Sequence, residues 1–138
     1  MNKTITCFIP YGSENQINKT IRHLQECPTV DRIFLLPTSP VPNLSLPDKC
    51  YILPSSAPES VEKYKQIALY ANTPFTLICT QVQDLEFGYM ALERMCDYLS
   101  APQCSMVYAD HYKTIKGERT PHAVIDYQLG SVRDDFDF

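Results

Sequence analysis

Short apolar runs that suit a pleated sheet alternate along this chain with runs whose apolar residues recur every three or four positions, and that alternation restricts the fold more than any other feature. Thr4–Ile9 is β-rich and is halted by Pro10 and Gly12, so it reads as a first strand opening into a loop. Ser13 and Gln16 stand at capping-box spacing, and Ile17, Ile21 and Leu24 recur at helical intervals up to Pro28. These signals predict a helix over Glu14–Cys27. Val30–Leu36 is a second strand, followed by Pro37, Pro40, Pro42 and Pro47, which neither donate to a ladder nor continue a helix. Cys50–Leu53 is a third strand. Ser56, Pro58 and Glu59 then supply a cap, an early proline and an acid for a helix with Val61, Tyr64, Ala68 and Ala71 on one face, ending near Asn72. Pro74–Cys79 hardly alternates, the pattern of a central strand covered on both faces. A third helix carries Leu85, Tyr89, Leu92, Cys96 and Leu99 and stops at Pro102. Ser105–Ala109 reads as a fifth apolar strand. Its continuation to Ile115, the Lys116-Gly117 pair and Arg119–Val124 predict a hairpin.

Strands alternating with helices imply an α/β fold: three layers, a mostly parallel sheet with helices on both faces, and a C-terminal β-hairpin. A chain of 138 residues fits one such domain. In sheets of this kind ligands sit beyond the carboxyl ends of the strands, which selects Pro10–Ser13, Leu36–Ser39, Thr80–Asp84 and Ala109–His111. Pro10-Tyr11-Gly12 places an aromatic ring where it could lie against a planar base, although Pro and Gly also end strands without any ligand. Asp110 stands where a carboxylate can hold a divalent cation against a diphosphate; a solvated turn is the competing reading, and His111 beside it reads as a surface histidine. Arg133-Asp134-Asp135-Phe136-Asp137 gathers acids near the end of the chain as either an acceptor or metal site or an exposed tail.

Several classes of function are disfavoured. A net charge of −4 without a basic run does not suit a nucleic-acid surface. No stretch approaches the roughly 20 apolar residues of a membrane span. Six cysteines occur without a C-x-x-C pair, and their places inside apolar runs suggest free thiols in a reducing, cytoplasmic setting. The Asn-x-Ser/Thr triplets at Asn2, Asn18 and Asn43 then carry no glycan. P-loop, G-x-G-x-x-G and G-x-S-x-G motifs and a Cys/His nucleophile pair are all missing, against kinase-like, dinucleotide-binding and hydrolase readings.

The order of elements, with Phe75-Thr76-Leu77-Ile78, then Leu85-Glu86-Phe87-Gly88-Tyr89 and Ala91–Met95, then Val107–Tyr112, Arg119–His122 and Ile125–Gln128, resembles the first half of family-two glycosyltransferases of the GT-A fold, of the Bacteroidetes type. Ile9-Pro10-Tyr11 supports the likeness near the start. The resemblance implies a nucleotide-diphosphate sugar as donor and a carbohydrate or lipid-linked acceptor of the cell envelope or a polysaccharide. It places the protein in the cytoplasm, at the inner face of the membrane. It also implies base and nucleotide contacts from Pro10, Tyr11, Gly12 and Ser39, and a Mg²⁺ or Mn²⁺ ion held by Asp84 and Asp110. Where the family carries Asp-x-Asp, this chain reads Cys79-Thr80-Gln81-Val82-Gln83-Asp84; acidic residues usual after the second strand are replaced by Leu35-Leu36-Pro37-Thr38-Ser39. The family's catalytic base lies beyond the part matched, so the chain is expected to hold a donor without completing transfer alone, and no catalytic residue is assigned. A degenerate GT-A-like domain that binds or scaffolds is the alternative.

Overall fold

The computed structural model describes residues 3–11, 14–37, 46–53, 61–79 and 85–122, with the backbone alone for residues 14–18 and 122. The elements are β1 (Ile5–Tyr11), α1 (Glu14–Glu26), β2 (Val30–Pro37), β3 (Cys50–Ile52), α2 (Val61–Tyr70), β4 (Phe75–Ile78), α3 (Ala91–Leu99), β5 (His111–Ile115) and β6 (Glu118–His122). The chain divides into two compact units, Met1–Glu93 and Arg94–Phe138.

In the first unit β1 to β4 form a wholly parallel sheet in the order β3-β2-β1-β4. The chain steps outward from β1 to β2 to β3, and the connection containing α2 then carries it back to the far side of β1. The reversal falls between β1 and β4. Every residue of β1 is buried, as a central strand covered on both faces requires. Phe8, Phe34 and Leu36 pack with Leu53 and with Ile67 of α2; the Phe8 and Phe34 rings stack with centroids 5.3 Å apart and 15° between planes. On the other face Cys7 lies within electrostatic reach of Cys27, just past the end of α1. The α/β character and a parallel sheet flanked by helices therefore agree with the sequence reading.

Pro10 lies inside this central strand, and the hydrogen-bond pattern explains how. The Thr4 and Phe8 carbonyls accept from the amides of Phe75 and Cys79, so even-numbered residues of β1 turn their polar groups toward β4. Pairing with β4 ends at Ile78. The donor that Pro10 lacks would thus have pointed where the ladder has already stopped.

Two threonines fasten the loops. Thr73 donates its hydroxyl proton to the Phe75 carbonyl (2.9 Å), so in the 2.6 Å contact between Thr6 Oγ1 and Thr73 Oγ1 the donor is Thr6. Thr20 of α1 accepts from the Leu85 amide at 2.7 Å and reaches the Leu85 carbonyl at 3.5 Å. Thr20→Val keeps the shape and leaves that amide without its acceptor, so a loss of about 1–3 kcal/mol is expected. Urea denaturation checks this; an unchanged midpoint would mean that the contact does not hold the loop.

Four expectations are corrected. Pro74–Cys79 is not central, because β4 is the edge of the described sheet and its side chains alternate between half-buried and exposed; its apolar run reflects strand propensity rather than double coverage. The core face of α2 is Lys63 and Ile67, with Ala71 packed beside them on the core, whereas Val61 and Tyr64 are 73 % and 54 % exposed. Lys63 can occupy a buried position because its stem is apolar and its ammonium reaches the Tyr64 ring, 5.6 Å from the centroid. The third helix does not begin at Leu85. That residue is tied to Thr20, Met90 adopts a left-handed φ of 51°, and helical hydrogen bonding opens only with the Ala91 amide on the Gly88 carbonyl.

The fourth correction lies in the second unit. Ser105–Ala109 forms no strand, since β propensity yields structure only where a partner strand is engaged. The hairpin is real: β5 and β6 pair antiparallel, with Ile115 opposite Glu118. Lys116 and Gly117 both have positive φ, 52° and 83°, the conformation that a two-residue turn needs to match strand twist. The β5 side chains are exposed throughout.

Candidate nucleotide-binding edge

The strands of the parallel sheet end at Tyr11, Pro37, Ile52 and Ile78, the edge at which open α/β sheets hold their ligands. Register brings Pro10 opposite Leu36 and Tyr11 opposite Pro37. On the β4 side the Cys79 amide donates to the Phe8 carbonyl at 3.0 Å, and its side chain is buried. Pro10, Tyr11, Pro37 and Cys79 thus floor the edge where β1 and β4 part.

Tyr11 is only 8 % exposed, so its ring closes the floor and does not stand clear of it. Gly12, Ser39 and Asp84 lie outside the described residues, as do residues 12–13, 38–45, 54–60 and 80–84, which follow the four strands. Asp110 belongs to the second unit. It is exposed and directly precedes β5, and the strand expected to present it does not form. The structure therefore places Pro10 and Tyr11 at the carboxyl edge of the sheet and Asp110 in the second unit.

The buried thiols of the parallel sheet are electrically quiet. Burial pushes the Cys79 thiol up to about 11 and the Cys50 thiol likewise to about 11, helped by nearby Asp48. Cys7 is raised further by burial and by the neighbouring Cys79, Cys27 and Cys50. All six cysteines are free thiols, as their sequence positions suggest. The three buried ones stay protonated and cannot act as nucleophiles at neutral pH. Among the described residues no three His, Cys, Asp or Glu side chains converge as metal ligands, so those residues do not fit a divalent ion and no chemical step is assigned to one. No described helix is long and apolar enough to cross a membrane.

Sequence reasoning missed Cys79 as part of the floor; its signal was its place as the last residue of an apolar run. It also missed a cleft of about 320 Å³ beside Cys27 and Glu93. That cleft lies at the opposite end of α1, whose 13 residues span about 20 Å at 1.5 Å per residue. No family model, curated protein or solved structure matches this chain.

Proposed function

We propose that the chain is the donor-binding part of a glycosyltransferase, holding a nucleotide-diphosphate sugar at the carboxyl edge where β1 and β4 diverge. The observation that carries the reading is the parallel order β3-β2-β1-β4, whose reversal beside β1 opens an edge of the kind that accepts nucleotides. Pro10 and Tyr11 lie at that reversal. The start of α1 at Glu14, three residues after Tyr11, adds a helix amino end, whose unpaired amides and dipole favour a phosphate. The sequence resemblance around Phe75–Ile78 and Val107–Tyr112 supports the glycosyl donor over other nucleotides. The Mg²⁺ or Mn²⁺ ion that the resemblance implies would offset the charge of the leaving diphosphate.

A second reading is favoured by the single acid in Cys79–Asp84, where an Asp-x-Asp pair would stand. In it the domain keeps the architecture and binds or scaffolds without metal-dependent transfer. Calorimetric titration with uridine diphosphate, with and without Mn²⁺, separates the two. Donor binding is expected to give measurable heat that increases with Mn²⁺; silence toward every nucleoside diphosphate tried would leave the scaffold.

A further inference from the structure

The cleft at the far end of α1 has a chemistry unlike that of the carboxyl edge. One wall is the last turn of α1 and the chain just beyond it, including His23 and Glu26; the other is the segment entering α3, including Phe87, Tyr89, Met90 and Glu93. All of these residues belong to the first compact unit. Its shape follows from contacts already described. Thr20 holds Leu85 against α1, the left-handed Met90 turns the chain, and the Gly88 carbonyl starts α3. Gly88 opens on space, for a Cβ there would meet nothing within 4 Å.

No Lys or Arg lines this cleft. The ion pairs among the described residues are Arg32–Asp31 and Lys65–Glu62, so neither Glu26 nor Glu93 has a cationic partner there. Glu93 accepts only a thiol contact from Cys27, at 3.4 Å. The Lys49 ammonium donates to the carbonyls of Gln25 and Cys27, at 3.1 and 3.4 Å, where it offsets the negative end of α1. Beside these carboxylates stand two aromatic residues and a thioether, and Tyr89 is 92 % exposed, a costly display for a ring with no contact to make.

We infer that this cleft binds a small organic amine, its ammonium group drawn by Glu26 and Glu93 and its apolar tail laid against Phe87, Tyr89 and Met90. Carboxylates repel a phosphate, so the ligand is not the nucleotide assigned to the opposite edge. A bare metal ion needs donors converging on one point, and no three such side chains converge among the described residues; an ammonium ion with a carbon tail is instead satisfied by charge on one side and ring faces on the other. A volume of about 320 Å³ is at the small end of ligand clefts and suits an amine with one ring or a short alkyl chain.

Titration of the full chain with phenethylamine and, separately, with its uncharged analogue 2-phenylethanol tests this at fixed ionic strength. The amine is expected to bind about tenfold more tightly than the alcohol, the sum of two solvent-reached charge pairs and a cation–π contact. Backbone amide shifts should centre on Phe87–Ala91. In E26Q/E93Q the preference for the amine should fall to about the level of the alcohol, with far-UV dichroism and the thermal midpoint retained. Equal affinity of amine and alcohol for the unaltered protein overturns the inference whatever the variant does. So does an undiminished amine preference in the folded double variant, or amide shifts located away from this cleft.

Discussion

Replacing Phe8 by alanine is expected to cost about 3–5 kcal/mol of unfolding free energy, the range found when a buried aromatic leaves a cavity. Phe8 is fully buried in the middle of the central strand and belongs to the cluster in which β1, β2, Leu53 and α2 meet. Its ring stacks on Phe34, so truncation strips one face of a second aromatic as well. Domains of this size hold together by about 5–15 kcal/mol, and the variant should therefore show a far lower urea midpoint by far-UV dichroism. Tyr64→Ala provides the contrast. Periodicity alone assigns Tyr64 to the packed face of its helix, but it is more than half exposed, and its removal should change stability by no more than about 0.5 kcal/mol. A Phe8→Ala loss below that of Tyr64→Ala would mean that the described core is not the one that holds the sheet.

Alkali should unfold the protein through its buried thiols. Cys50 and Cys79 release their protons only at about 11 in the folded chain, against an ordinary 9.0. Between those values the unfolded chain binds fewer protons than the native one, so rising pH favours unfolding. The stabilisation from the two neutral thiols is intact below about pH 9.0 and is lost as pH climbs toward 11. At roughly 1.4 kcal/mol per pH unit, Cys79 accounts for about 3 kcal/mol over that interval, and the less deeply set Cys50 for a fraction of that. Stability measured by urea titration at successive pH values should fall steeply there, and Cys50→Ala/Cys79→Ala should flatten the fall even though its starting stability is lower. An equal slope in the double variant would assign the alkaline loss to other groups.

What could be read from the sequence was what neighbours decide. The Lys116-Gly117 turn was legible because two adjacent residues with positive φ settle it, and the existence of β1 to β4 because a Pro or Gly stands near at least one end of each apolar run. Features set by distant partners were not legible. Leu85 looks helical by spacing, yet its amide answers to a threonine 65 residues earlier. Ser105–Ala109 looks like a strand until a partner is required of it. Of the stripe Val61, Tyr64, Ala68 and Ala71 only Ala71 packs on the core, where Lys63 and Ile67, one or two positions away from the others, take the buried face. At the proposed site the tip of β1 was legible, because Pro10 and Gly12 mark where a ladder can stop. The strand expected to present Asp110 was not, because Ser105–Ala109 carries β propensity without an engaged partner.

The sheet order has a consequence for how the chain is made. β1 is synthesised first and meets β2 about 25 residues later, at Ile5 and Val30, but its other neighbour arrives with Phe75, a further 45 residues along. During translation the most deeply buried strand therefore waits with one flank open until the chain through Cys79 has left the ribosome. Closing so long a loop is the slow step expected of non-local pairing, and a nascent chain stalled before β4 would be the species for chaperones to guard.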